Sequence, residues 1–124
     1  MVESPNEIFA DKVLADIERL QGRGSLKTKD VFDWYYILHN FEIDDEKIVD
    51  LIILKVKEYD LRIDVETFNR LINWFDSHDH IQSFYEDMTR CLPDDVYQAL
   101  LLDTNWINVI RKKLIKLKNM YKNR

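Results

Sequence analysis

Few side chains in this sequence combine the types and spacing that catalysis or metal binding requires. His78, Asp79 and His80 pair two imidazoles with a carboxylate, and such groups are ligands of zinc or manganese. The two histidines are two positions apart near a predicted helix start, where side chains at this spacing point apart. A third ligand must come from elsewhere. A metal-dependent hydrolase using His78 and His80 is therefore an alternative, and the main prediction includes no metal and no cofactor.

Nucleophilic and phosphate-binding motifs are missing from the sequence. Cys91 is the single cysteine, and we expect a buried structural thiol because only the histidines can serve as its base. The chain has two glycines, neither in the context of a glycine-rich loop, which excludes a nucleotide cradle of that kind. No pair among the 23 acidic residues is singled out for acid–base catalysis. The sequence therefore predicts a protein that is not an enzyme.

Length and composition define the class of protein. The chain has 124 residues, 46% hydrophobic and 33% charged, which fits one globular domain covering residues 1–124. Two glycines and two prolines are too few for an all-β fold rich in tight turns. The longest apolar run is far shorter than the roughly 20 residues of a membrane span, and the acidic N-terminal segment lacks a signal peptide's apolar stretch. We expect a cytoplasmic protein without membrane association.

Helix signals recur along the whole chain. Ser4 begins a capping box with Glu7, and Gly22 is the expected end of that first helix. Asp44 and Asp64 are typical N-cap residues that precede periodic apolar stretches, and Pro93 separates two further helices. The sequence predicts an all-α, single-domain bundle of six or seven short helices in orthogonal or irregular packing. A flexible loop is expected near residues 21–27 and a basic C-terminal helix over about 105–122.

Charge is distributed unevenly. Residues 104–124 hold seven basic residues and no acidic one, whereas the rest of the chain holds all 23 acidic residues. We interpret the tail mainly as a core helix whose lysines offset the acidic body. The alternative is a nucleic-acid-associated regulator that binds through Arg111, Lys112, Lys116 and Lys118. Nucleic acid is nevertheless an unexpected partner, because the acidic body repels phosphate.

Aromatic residues form the candidate binding surface. Trp34, Tyr35 and Tyr36 are consecutive helical positions that together cover about 200° of the helix surface. A small domain rarely buries all three, so at least one is expected at the surface as an anchor for a partner. The candidate steering residues are the acids near the starts of the third and fourth predicted helices, namely Asp44, Asp45, Glu46, Asp64 and Glu66.

These features together predict a non-enzymatic interaction protein. An acidic surface, an aromatic excess and missing catalytic groups fit a module that neutralises or escorts a basic protein partner. Its most concrete form is an immunity protein or antitoxin that inhibits a nuclease toxin. A secretion chaperone or an anti-activator fits the same features, a homodimer is possible, and neither the partner nor the source organism follows from the sequence.

Overall fold

The computed structural model describes residues 3–124, which fold into seven α-helices with no strand. The helices are α1 (Pro5–Arg23), α2 (Thr28–Asn40), α3 (Asp45–Glu58), α4 (Val65–Trp74), α5 (His78–Cys91), α6 (Asp94–Leu102) and α7 (Trp106–Lys122). The predicted all-α, single-domain bundle is confirmed. None of these helices combines the length and the apolar character needed to cross a membrane.

Side chains at the predicted N-caps begin three of the helices. The Ser4 hydroxyl oxygen accepts a hydrogen bond from the Glu7 backbone N–H at 3.2 Å. Asp44 accepts one from the backbone N–H of Lys47 at the start of α3. Asp64 and Thr67 form a reciprocal capping box at the start of α4. Because these caps satisfy backbone donors that the first helical turn leaves free, local sequence determines where α1, α3 and α4 begin.

The end of α1 differs from the prediction. The helix continues through Gly22 to Arg23, and Gly24 ends it with a φ of 67° and an N–H donated to the Leu20 carbonyl oxygen at 3.1 Å. This left-handed conformation favours glycine because it has no Cβ. The prediction that the first helix ends at Gly22 is therefore wrong by two residues. The connection to α2 comprises residues 24–27.

Two helices organise the core. Both α1 and α7 pack against α2, α3 and α4, while α5 packs against α2 and α6. The buried apolar residues of α1 include Phe9, Val13 and Ile17. Those of α7 are Trp106, Ile110, Leu114 and Leu117. The spacing of three and four residues places these apolar side chains on one face of α7. Their burial agrees with the core role that the sequence predicted for the C-terminal helix.

Candidate functional site

A lysine and two aspartates join α1 to α2. The Lys12 Nζ atom lies 3.0 Å from Asp30 Oδ1 and 3.0 Å from Asp33 Oδ2. Asp30 and Asp33 are three positions apart on α2 and therefore lie on one face of the helix. Asp30 is buried, whereas the Asp33 side chain is 44% exposed. One lysine thus bridges an interior carboxylate and a surface carboxylate.

The Lys12 ammonium remains charged despite its partial burial. Burial lowers the pKa of this group, but hydrogen bonds to Asp30 and Asp33 outweigh that effect and raise the pKa above its usual range. An ammonium group carries three N–H donors, and the two aspartates use two of them. Lys12 therefore keeps one donor for an additional acceptor.

Asp16 lies beside this ion pair and is fully buried. Its Oδ1 atom accepts a hydrogen bond from the Lys27 backbone N–H at 3.3 Å, whereas Oδ2 has no hydrogen-bond partner. Burial is the main cause that raises the pKa of the Asp16 carboxyl, to about 8, and the neighbouring Asp30 carboxylate raises it further than burial alone would. Asp16 is therefore predominantly neutral at pH 7, unlike an ordinary aspartate.

The ion pair borders a surface cavity of about 510 Å³. Its polar lining is Glu3, Lys12 and Asp33; its apolar lining is Pro5, Ile8, Tyr36, Ile37 and Phe41. Tyr36 and Phe41 are each about half exposed, and their rings meet edge to face with centroids 6.2 Å apart. An apolar cavity of this size with a few polar groups is typical of small-molecule sites. We refer to it as the α1–α2 pocket.

The three predicted aromatic anchors occupy different environments. Trp34 is fully buried, with its ring centroid 6.0 Å from that of Phe9. Tyr35 is half-buried and stacks on His39. Tyr36 lies at the surface in the α1–α2 pocket. The expectation that at least one of the three reaches the surface is confirmed, but Trp34 is placed in the core and not at a surface.

Most of the acidic residues predicted to steer a partner make contacts within the fold. Asp44 and Asp64 cap helices. Asp45 pairs with Lys113 and Lys116 of α7, each at 2.8 Å, and Glu46 pairs with Arg124 at 2.9 Å. Glu66 is exposed. Their role in steering a partner stays a prediction.

The basic residues named for nucleic-acid binding also contact the rest of the chain. Arg111 pairs with Asp76 at 3.2 Å, Lys116 with Asp45, and Lys118 Nζ donates to Asn69 Oδ1 at 3.2 Å. Lys112 is exposed and makes no ion pair within residues 3–124. These contacts favour the interpretation of α7 as a core helix that offsets the acidic body.

The histidines occupy surface positions. His80 stacks on Trp74, and its Nδ1 atom lies 3.1 Å from the Trp74 carbonyl oxygen. Within residues 3–124, no group of three or more His, Cys, Asp or Glu side chains is placed to hold a metal ion. The hydrolase alternative at His78 and His80 therefore finds no ligand set in that part of the chain.

The cysteine is exposed as well. The prediction of a buried thiol is wrong because Cys91 is the last residue of α5, where it lines an open surface cavity together with Lys29 and Arg90.

The sequence pattern alone did not reveal the cluster of Lys12, Asp16, Asp30 and Asp33. Asp33 is a charged residue in the largely apolar stretch of residues 31–38, and this was the available signal. Its partner Lys12 is 21 positions away, so only the packing of α1 on α2 brings them together.

Comparison with known proteins gives one match. The family model of the nucleotidyl transferase AbiEii toxin of type IV toxin–antitoxin systems matches residues 1–104. No curated protein matches the chain, and no solved structure matches it. The matched residues include the whole α1–α2 pocket and the cluster of Lys12, Asp16, Asp30 and Asp33.

Proposed function

Because this chain belongs to the AbiEii family of nucleotidyl transferase toxins of type IV toxin–antitoxin systems, we propose that it binds a nucleotide in the α1–α2 pocket and serves nucleotidyl transfer. The observation that carries the proposal is the Lys12 ammonium in the lining of an aromatic pocket. A family of transferases points to enzymatic activity, in contrast to the non-enzymatic role expected from the sequence.

The pocket offers a complementary group for each part of a nucleotide. The exposed rings of Tyr36 and Phe41 provide a face on which a base can stack, a contact worth about 1–3 kcal/mol per base. The third donor of Lys12 is available for a phosphate oxygen. The exposed Asp33 carboxylate can accept a hydrogen bond from a ribose hydroxyl or a base amino group. This mode of binding uses side chains and requires no glycine-rich loop.

The described residues do not supply a metal site for the reaction. Nucleotidyl transfer commonly relies on Mg²⁺ ions held by carboxylates. Residues 3–124 contain no group of three or more His, Cys, Asp or Glu side chains that could hold a metal ion, so this part of the chain offers no complete set of protein ligands for such an ion. The proposed contribution of this chain is to bind and orient the nucleotide.

Titration with ATP, GTP, CTP and UTP, followed by NMR, tests the proposal. We expect at least one nucleotide to shift the resonances of Tyr36 and Phe41. Lys12→Met is expected to weaken that binding about tenfold, which corresponds to about 1.4 kcal/mol. Lys112→Met is the matched control, since Lys112 is exposed on α7 outside the pocket. Absence of binding by all four nucleotides, or equal losses in both variants, contradicts the proposal.

A labelling experiment tests the transfer itself. The chain is incubated with magnesium, α-labelled nucleotides, and RNA and protein fractions from cells. Label is expected in one of the fractions, and Lys12→Met is expected to reduce it. Label that remains unchanged in this variant rules out a role of the pocket in the transfer.

Binding of a basic protein partner is the second candidate function. Its support is the acidic surface, where Asp44, Glu46, Asp64 and Glu66 are exposed. The test is a column of tagged chain loaded with cell lysate and eluted in salt steps. One basic protein is expected at moderate salt, with earlier elution from the Glu46→Lys, Glu66→Lys variant because steering charges are reversed. Elution of nucleic acid instead supports binding through α7.

A further inference from the structure

We infer that Asp16 is a positioning residue whose neutral carboxyl group holds Asp30 against Lys12, so that the α1–α2 pocket binds its nucleotide only while Asp16 carries a proton. The inference rests on the proposed function of the pocket and adds its regulation. Asp16 does not line the pocket and acts through Asp30.

The burial and the hydrogen bonds of Asp16 favour its protonated form. Its Oδ1 atom accepts from the Lys27 backbone N–H, and its Oδ2 atom has no partner, although the side chain is fully buried. A buried carboxyl oxygen without a partner is costly. A proton on Oδ2 removes this cost because the resulting O–H can donate to the Asp30 carboxylate. The Oδ1 atom of Asp30 lies 3.0 Å from Lys12 Nζ, so this contact links the Asp16 carboxyl to Lys12.

The groups around Asp16 come from three segments. Arg19 faces it from α1, the Lys27 N–H from the loop of residues 24–27, and Asp30 from α2. Arg19 and Lys27 favour the charged form, whereas burial and Asp30 oppose it and prevail. Lys12 and Asp33 complete the network through Asp30. The neutral form is thus the one that the packing of α1 against α2 accommodates.

Loss of the proton places two carboxylates side by side in the interior. Their repulsion and the lost O–H donor release Asp30 from its position. Lys12 then keeps Asp33 as a partner but loses the buried carboxylate that helps to fix its ammonium group at the edge of the pocket. The affinity of the pocket for nucleotides is therefore expected to fall above about pH 8.

The Lys12 ion pair can be observed without any nucleotide. The ¹³Cε and ¹⁵Nζ chemical shifts of Lys12 are recorded from about pH 6 to about pH 9, with Lys12→Met for assignment. In the wild type they are expected to change with a midpoint near that of Asp16, about pH 8. In Asp16→Asn they should stay constant, because the amide donates to Asp30 and accepts from Lys27 at every pH. Glu18→Gln, an exposed change on the same helix, should behave like the wild type.

The affinity for a nucleotide gives the functional readout. Titrations use ATP, or whichever of the four nucleotides binds at neutral pH. The wild type should lose about fivefold or more in affinity between about pH 7 and about pH 9, and Asp16→Asn should keep its affinity. The same pH dependence in Asp16→Asn as in the wild type overturns the inference. Because asparagine preserves size and hydrogen bonds, this variant is expected to fold, which circular dichroism checks.

The two proposals fail in different ways. If Lys12 follows Asp16 but no nucleotide binds at any pH, the positioning role stands and the nucleotide pocket is wrong. If a nucleotide binds with the same affinity across the pH range and the Lys12 chemical shifts do not depend on Asp16, the nucleotide pocket stands and the positioning role is wrong.

Discussion

At the level of single residues, the buried carboxyl of Asp16 makes the stability of the chain depend on pH. Its pKa is about 8 in the folded chain and 3.8 as the ordinary reference value. The folded state therefore binds the proton more tightly than the unfolded state. This contribution to stability is full below about pH 4 and is lost as the pH rises towards about pH 8.

Replacement of Asp16 by asparagine tests this dependence. Relative to Asp16→Asn, we expect the free energy of unfolding of the wild type to fall by a few kcal/mol between about pH 5 and about pH 9, at most about 1.4 kcal/mol for each pH unit. Urea denaturation of both proteins at several pH values measures the difference. A difference that is independent of pH contradicts the assignment of a proton to Asp16.

Substitutions of two aromatic residues in α2 are expected to affect stability and nucleotide binding separately. Trp34 is fully buried and Tyr36 is half exposed. We expect Trp34→Ala to lower the free energy of unfolding by about 3–5 kcal/mol because it leaves a large cavity. Tyr36→Ala should change stability by no more than about 0.5 kcal/mol while it weakens nucleotide binding. Thermal denaturation and NMR titration measure the two effects. A large stability loss in Tyr36→Ala conflicts with its surface position.

At the level of secondary-structure elements, the end of α1 distinguishes two glycines. Gly24 has a left-handed backbone with φ of 67°, whereas Gly22 is inside the helix, and a side-chain methyl group at either position would meet open space. Gly24→Ala is expected to destabilise by about 1 kcal/mol because of its backbone conformation. Gly22→Ala should stabilise by about 0.5–1 kcal/mol through helix propensity. Denaturation curves with opposite shifts support this end of the helix, and destabilisation by both contradicts it.

At the level of the whole molecule, α7 completes a core that extends beyond the residues matched to the family. The match covers residues 1–104, while α7 packs against α2, α3 and α4. Asp45 joins it to α3 through Lys113 and Lys116. Removal of this helix exposes apolar residues on three others. The family-matched part therefore depends on α7 for a closed core.

A single core substitution in α7 measures this dependence. Leu114 is fully buried, whereas Leu102 in α6 is 82% exposed. We expect Leu114→Ala to reduce the free energy of unfolding by about 2–5 kcal/mol and Leu102→Ala to change it by less than about 0.5 kcal/mol. Urea denaturation compares the two leucines under the same conditions. Equal effects mean that α7 does not belong to the cooperative core.

Local sequence was sufficient to predict where three of the helices begin and which face of α7 is buried. Ser4, Asp44 and Asp64 each cap a helix at the predicted position, because a cap bonds to backbone donors two or three residues away. The periodic apolar stripe of α7 likewise predicted its buried face. The error at Gly22 arose because two glycines compete within three residues, and only the backbone conformation distinguishes them.

The sequence by itself determined the helical class, the helix starts and the uneven charge, since these depend on neighbours along the chain. Only the tertiary structure decided which charges meet. Lys12, Asp16, Asp30 and Asp33 acquire their properties from the packing of α1 on α2. Ionisation and ion pairing depend on burial and on distances through space, which the order of residues does not reveal. The α1–α2 pocket therefore emerges only from the folded chain.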